Sequence, residues 1–161
     1  MMTMFQSNWK VRDAWFRWCM DVPQVELDAL RTGGLRSIVR TMFHVVDLEQ
    51  YWIRCLVYGT EHRFEFSEYA GIDEVRALSK RLRPFVEEAV AAWSPERDGE
   101  TRTVTFADGT AAEMAYGDVL RYLIVHEAHH MGQMSVWARE LGVEPAGIMR
   151  LPGPAREGER R

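Results

Sequence analysis

Residues 121–142 read RYLIVHEAHHMGQMSVWARELG and place three of the chain's five histidines within five positions. An α-helix turns about 100° per residue, so each side chain can be set on a wheel with His126 at zero. Val119, Leu123, Met134, Trp137 and Leu141 then form an apolar arc roughly 20° to 80° from it. His130 lies at about 40°, inside that arc, and His129 at about 300°, towards Glu140 and the polar side. The stretch is an amphipathic helix, started by Gly117 or Asp118 and closed by Gly142. It turns His126 and His130 inward and His129 outward.

The rest of the chain supplies helices for it to pack against. Residues 5–22 carry Trp9, Phe16 and Cys19 at helical spacing before Pro23 ends the run. RTGGLRS (31–37) is a Gly-Gly turn, and Ser37 opens a second helix reaching Gly59. EHRFEFSEYAG (61–71) reads as a loop with some extended character, and Asp73 as the N-cap of a third helix ending near AAWSPERDG. The alternation of Val104 and Phe106 beside Asp108-Gly109 predicts a short β-hairpin. The fold expected is all-α, a four-helix bundle with a small β-hairpin before the last helix. It forms one domain over 1–150, followed by a Pro/Gly-rich, charged tail (151–161) expected to fray.

Composition excludes several classes. Hydrophobic residues make up 47% and charged residues 27% of the 161 residues, as in an ordinary globular domain. No apolar run approaches the roughly 18 residues of a membrane span, and the N-terminus lacks signal-peptide features. The net charge of −4 argues against a nucleic-acid partner. Two cysteines, Cys19 and Cys55, are too few for a disulfide framework and read as reduced thiols in a cytoplasmic protein. Six Trp, nine Met and seven Phe provide a bulky core or an apolar pocket.

An i, i+4 histidine pair can share one metal ion. The second helix carries His44 at the edge of the arc formed by Ile38, Met42, Val45, Trp52 and Leu56. Facing helices in a bundle bring such side chains together. His44, His126 and His130 are therefore candidate ligands of a divalent metal, in a set with positions left open for water or substrate. Imidazoles also suit several metals, and inward histidines can simply be hydrogen-bonded core residues. His62, in a polar loop, reads as solvated. Glu127 and Glu49 are inward carboxylates, costly unless paired. Either could orient a ligand imidazole, bind metal, act as a base, or pair with a basic side chain.

His126-Glu127-Ala128-His129-His130 also matches the H-E-x-x-H pattern of zinc proteases. The extended form needs a glycine and a histidine where Gln133 and Val136 stand. Nor does the chain offer a sheet on which a peptide could lie as an added strand.

FHVVDLEQYWI (43–53) and HEAHHMGQMSVWARELG (126–142), with RTGGLRSIVRTMFHVVDLEQYWIRCLVYG (31–59), resemble the DinB-like proteins of the DinB/YfiT superfamily. The resemblance runs from about residue 5 to 142. It implies a four-helix bundle, a divalent metal (zinc or nickel) at the positions of His44, His126 and His130, and a homodimer. It further implies an enzyme activating a low-molecular-weight thiol such as bacillithiol, as an S-transferase or related enzyme acting on an electrophilic substrate. The alternative is a non-catalytic metal-binding bundle serving as a sensor or interaction module. Arg40, Arg54 and Arg121 are candidates for contacting an anionic thiol, or are solvated helix-face charges.

Overall fold

Ser37 and Gly59 behave as their residue types require. The Ser37 hydroxyl accepts from the Arg40 amide, opening α3 (Ile38–Tyr58), and Gly59 closes it in the left-handed region at φ 70°. The computed structural model describes residues 1–69 and 71–146. Around α3 stand α1 (Met2–Met20), the short α2 (Gln24–Asp28), α4 (Ile72–Ala91) and α5 (Tyr116–Glu140). Strands β1 (Thr101–Thr105) and β2 (Ala111–Ala115) pair antiparallel just before α5, with Thr103 opposite Glu113. The four long helices and the hairpin are the elements expected; α2 is an addition. The tail at 151–161 lies outside the described residues, as does the stretch 147–150.

Helix starts are where sequence and structure differ. α4 begins at Ile72 with Gly71 as its N-cap, so Asp73 sits in the first turn instead, where its charge favours the helix dipole. α5 begins at Tyr116, ahead of the expected Gly117 or Asp118. Its first amides have partners outside the helix: Tyr116 N–H donates to the Glu100 carbonyl and Gly117 N–H to that of Asp98. The turn that precedes the hairpin thus caps α5 from outside, a role normally taken by an N-cap side chain.

α3 packs on α4 and α5, and α1 packs on the same two, so the bundle order is α1–α4–α3–α5. Two apolar clusters fill it. One contains Phe5, Trp9, Ile53, Leu56, Val86, Val90, Leu120 and Leu123. The other contains Trp15, Phe16, Met42, Val45, Val75, Leu78, Met134 and Trp137. Their sequence order shows that α1 and α5 run one way and α3 and α4 the other. Neighbours α3 and α4 are therefore parallel, and the chain must return along the bundle between them. The hairpin covers α3, with Val104 fully buried on Leu48, Tyr51 and Cys55. Among the described residues no helix is long and apolar enough to cross a membrane.

Candidate metal centre

His44 projects from the middle of α3, and His126 and His130 from successive turns of α5. Their Nε2 atoms converge: His126 Nε2 lies 3.0 Å from that of His44 and 3.0 Å from that of His130. Ring centroids are 4.5 to 5.1 Å apart. One ligand atom from each residue lies within 4.8 Å of the others, and among the described residues no fourth His, Cys, Asp or Glu joins the group. His44 and His126 are half-buried and His130 is buried.

Electrostatics keep these rings neutral. Burial pushes the His126 pKa down to about 3, aided by His130 and His44. Burial also takes His130 down to about 4, with the Gln133 side chain opposing the shift. His44 is lowered by burial and then by Arg63. Neutral imidazole is the metal-binding form. Two Nε2···Nε2 contacts converge on one His126 nitrogen, which cannot form a good hydrogen bond to both neighbours as neutral rings. A cation between the three lone pairs resolves that repulsion. The donor set fits a divalent ion with an open coordination position.

The surroundings sort the remaining candidates. His129 is exposed on the outer face of α5 and outside the ligand cluster, as the wheel requires. His62 is exposed, with its ring edge-on to Phe64. Tyr122 lies against His126 at 5.6 Å between centroids and in turn meets Trp52. Arg63, on the His44 side, sits over the Tyr51 ring and 3.7 Å from Asp47. His130 Nδ1 and Gln133 Oε1 are both buried and unpartnered one helical turn apart. A small rotation of the Gln133 amide would join them. Gly34, at φ 49°, makes room for that amide, since a Cβ there would collide with it.

Glu49 and Glu127 lie outside the histidine cluster. Both face Arg12 on α1, a residue sequence reasoning did not single out. Arg12 Nε and Nη2 donate to Glu127 at 2.7 Å, and Nη1 and Nη2 donate to Glu49 at 2.8 Å. Trp9 Nε1 donates to Glu49 at 3.0 Å. The signal was present: Arg12 continues the apolar stripe Phe5, Trp9, Phe16, Cys19, all of it buried. A charge in such a stripe needs a buried counter-charge. Of the three arginines considered from sequence, Arg40 covers Phe66 and Arg54 covers Phe85. Arg121 is clamped by Asp98 and Asp118.

The DinB family model matches residues 1–156. The chain belongs to the DinB family. It is 36% identical over 145 residues to YizA, an uncharacterized protein of Bacillus subtilis (strain 168), covering 90% of each. Its structure resembles the crystal structure of a DinB-like protein from Bacillus cereus ATCC 10987, with a TM-score of 0.60 at 19% identity. That match covers 91% of this chain and 95% of the other, and supports the fold alone. This DinB-family chain therefore has the helical fold of its relatives and a three-histidine cluster compatible with a metal site.

Proposed function

We propose that this protein is a divalent-metal-dependent enzyme that activates a low-molecular-weight thiol for transfer to an electrophilic carbon, as an S-transferase or a related enzyme. The observation that carries this reading is the convergence of three neutral imidazoles on one point, with no fourth protein ligand among the described residues. A zinc or nickel ion held there supplies positive charge that lowers the pKa of a thiol and favours the thiolate, its nucleophilic form. His44, His126 and His130 fix the ion. Tyr122, packed against His126, and Trp52 behind it offer aromatic surface suited to an apolar electrophile. In the transfer a sulfur–carbon bond forms, the leaving group departs with its electron pair, and the thiol proton passes to solvent. A cytoplasmic setting, in which Cys19 and Cys55 stay reduced, suits a bacillithiol-like cosubstrate.

The test is conjugation of a model electrophile by untagged, metal-loaded protein with bacillithiol, mycothiol, glutathione or coenzyme A in turn. The expected result is thioether formation with at least one thiol, abolished in His44→Ala. Absence of turnover with every thiol would favour the second reading, a metal-binding sensor or interaction module. One observation supports that alternative: both buried carboxylates are held by Arg12, and neither is free to serve as a base at the cluster.

A further inference from the structure

A cavity of about 130 Å³ opens between α1 and α5. Its walls come from these two helices alone, and none of the three histidines lines it. Val11, Trp15 and Met131 give it an apolar wall, with Trp15 and Met131 buried. Ala128 and Gly132, exposed and four residues apart on α5, form the rim. A Cβ on Gly132 would meet no atom within 4 Å, so the glycine keeps the mouth open.

Three buried polar side chains, Asn8, Glu127 and Ser135, complete the lining. Each has a spare acceptor. Asn8, only 6% exposed, donates through Nδ2 to the Ile124 carbonyl at 3.1 Å, and its Oδ1 has no partner among the described residues. Ser135 Oγ uses its hydrogen on the Met131 carbonyl at 2.9 Å and keeps its lone pairs. Glu127 accepts from Arg12 at 2.7 Å on each oxygen, and each oxygen retains a second lone pair. Arg12 also faces Glu49, so one guanidinium stands between two carboxylates and the layer carries a surplus of negative charge.

We propose that this cavity binds a small primary ammonium ion with an apolar body, its head on Glu127 and Asn8 and its carbon skeleton against Trp15 and Met131. An ammonium offers three donors and no acceptor, the complement of three spare acceptors. Its charge balances the surplus carboxylate. An anionic ligand would meet Glu127 with like charge, and a plain hydrocarbon would leave the Asn8 oxygen unpaired. An apolar cavity of roughly 150 Å³ takes a benzene-sized molecule, so an alkyl or aryl group of about six carbons fits. Binding here needs neither the metal nor a thiol.

Benzylamine, a cation at neutral pH, is the probe, and benzyl alcohol is its neutral counterpart. Calorimetric titration of the metal-loaded full chain should show a single amine site with a dissociation constant of about a millimolar or below. Benzyl alcohol should bind about tenfold more weakly or worse. Gly132→Leu fills the mouth and should weaken amine binding by about tenfold or more. Helicity and metal content should not change, because leucine favours a helix and Gly132 has room for a side chain. Glu127→Gln keeps the shape and should remove the preference for amine over alcohol. The alcohol comparison and Gly132→Leu leave the Arg12 layer intact, so they test the site even if Glu127→Gln fails to fold. Amine binding that survives Gly132→Leu but not His44→Ala would place the probe on the metal and overturn the proposal. Equal affinity for amine and alcohol, a preference that persists in folded Glu127→Gln, or no amine binding at millimolar concentration would each overturn it too.

Discussion

Arg12 crosses the bundle from α1 to reach carboxylates on α3 and α5, and all three side chains are almost wholly buried. Burial alone would lower the arginine pKa, but Glu127 and Glu49 outweigh it and raise the value. Burial raises Glu127, against the pull of Arg12. Removing the guanidinium would leave two carboxylates facing each other in a dry core. Arg12→Met should therefore cost about 3–5 kcal/mol, measured by urea unfolding. Restoring neutrality with Arg12→Met/Glu49→Gln/Glu127→Gln should recover part of that loss. Gln133 poses a different question, because it neighbours a ligand and not the core charges. If its amide orients His130 through Nδ1, Gln133→Leu should weaken metal binding about tenfold with little change in stability, read by competition with a chelator. The three histidines were legible because a 3.6-residue wheel fixes direction within a helix. The partner of Glu49 and Glu127 was not, because nothing on their own helices shows which residue crosses the core.

At the scale of the element, α5 owes its start to the hairpin and the turn before it. Gly117 sits where a Cβ would overlap the Asp98 carboxylate, which is itself held by Arg121 and Trp93. Replacing a helical glycine with alanine normally gains about 1 kcal/mol. Here the methyl must displace an aspartate that accepts from Trp93 and from Arg121, at about 1 kcal/mol for each partner side chain lost. Gly117→Ala should therefore be net destabilising by about 1 kcal/mol, checked by thermal or urea unfolding. A gain in stability would mean that Asp98 moves aside freely. The same contacts explain why the helix start was misplaced from sequence. Gly117 and Asp118 look like caps, but the accepting carbonyls come from Asp98 and Glu100, across the hairpin. Interior pattern is local information; a cap supplied by another element is not.

At the scale of the molecule, the apolar clusters at the two ends of the bundle are separated by the layer of Arg12, Glu49 and Glu127. Helix number and the hairpin were readable from periodicity and turn residues. The parallel run of α3 beside α4 was not, because it is set by which faces match and by a connection long enough to return. This arrangement also determines the response to acid. His126 and His130 are held neutral, with pKa values of about 3 and about 4, and His44 is lowered too, all by burial first. In the unfolded chain they titrate near 6.5. Between those limits the unfolded state binds more protons, so stability rises with pH and falls as pH drops below about 6.5. The raised pKa of Glu127 acts in the opposite sense, since protonation favours its folded form. The histidine contribution is isolated by comparing the metal-free protein with metal-free His126→Ala/His130→Ala. From pH 7 to pH 5 the wild type should lose stability faster than the double variant, measured by urea unfolding at each pH. Parallel slopes would show that the imidazoles are not held neutral by the fold. Metal should steepen the wild-type loss further, because protons compete with the ion for the same nitrogens.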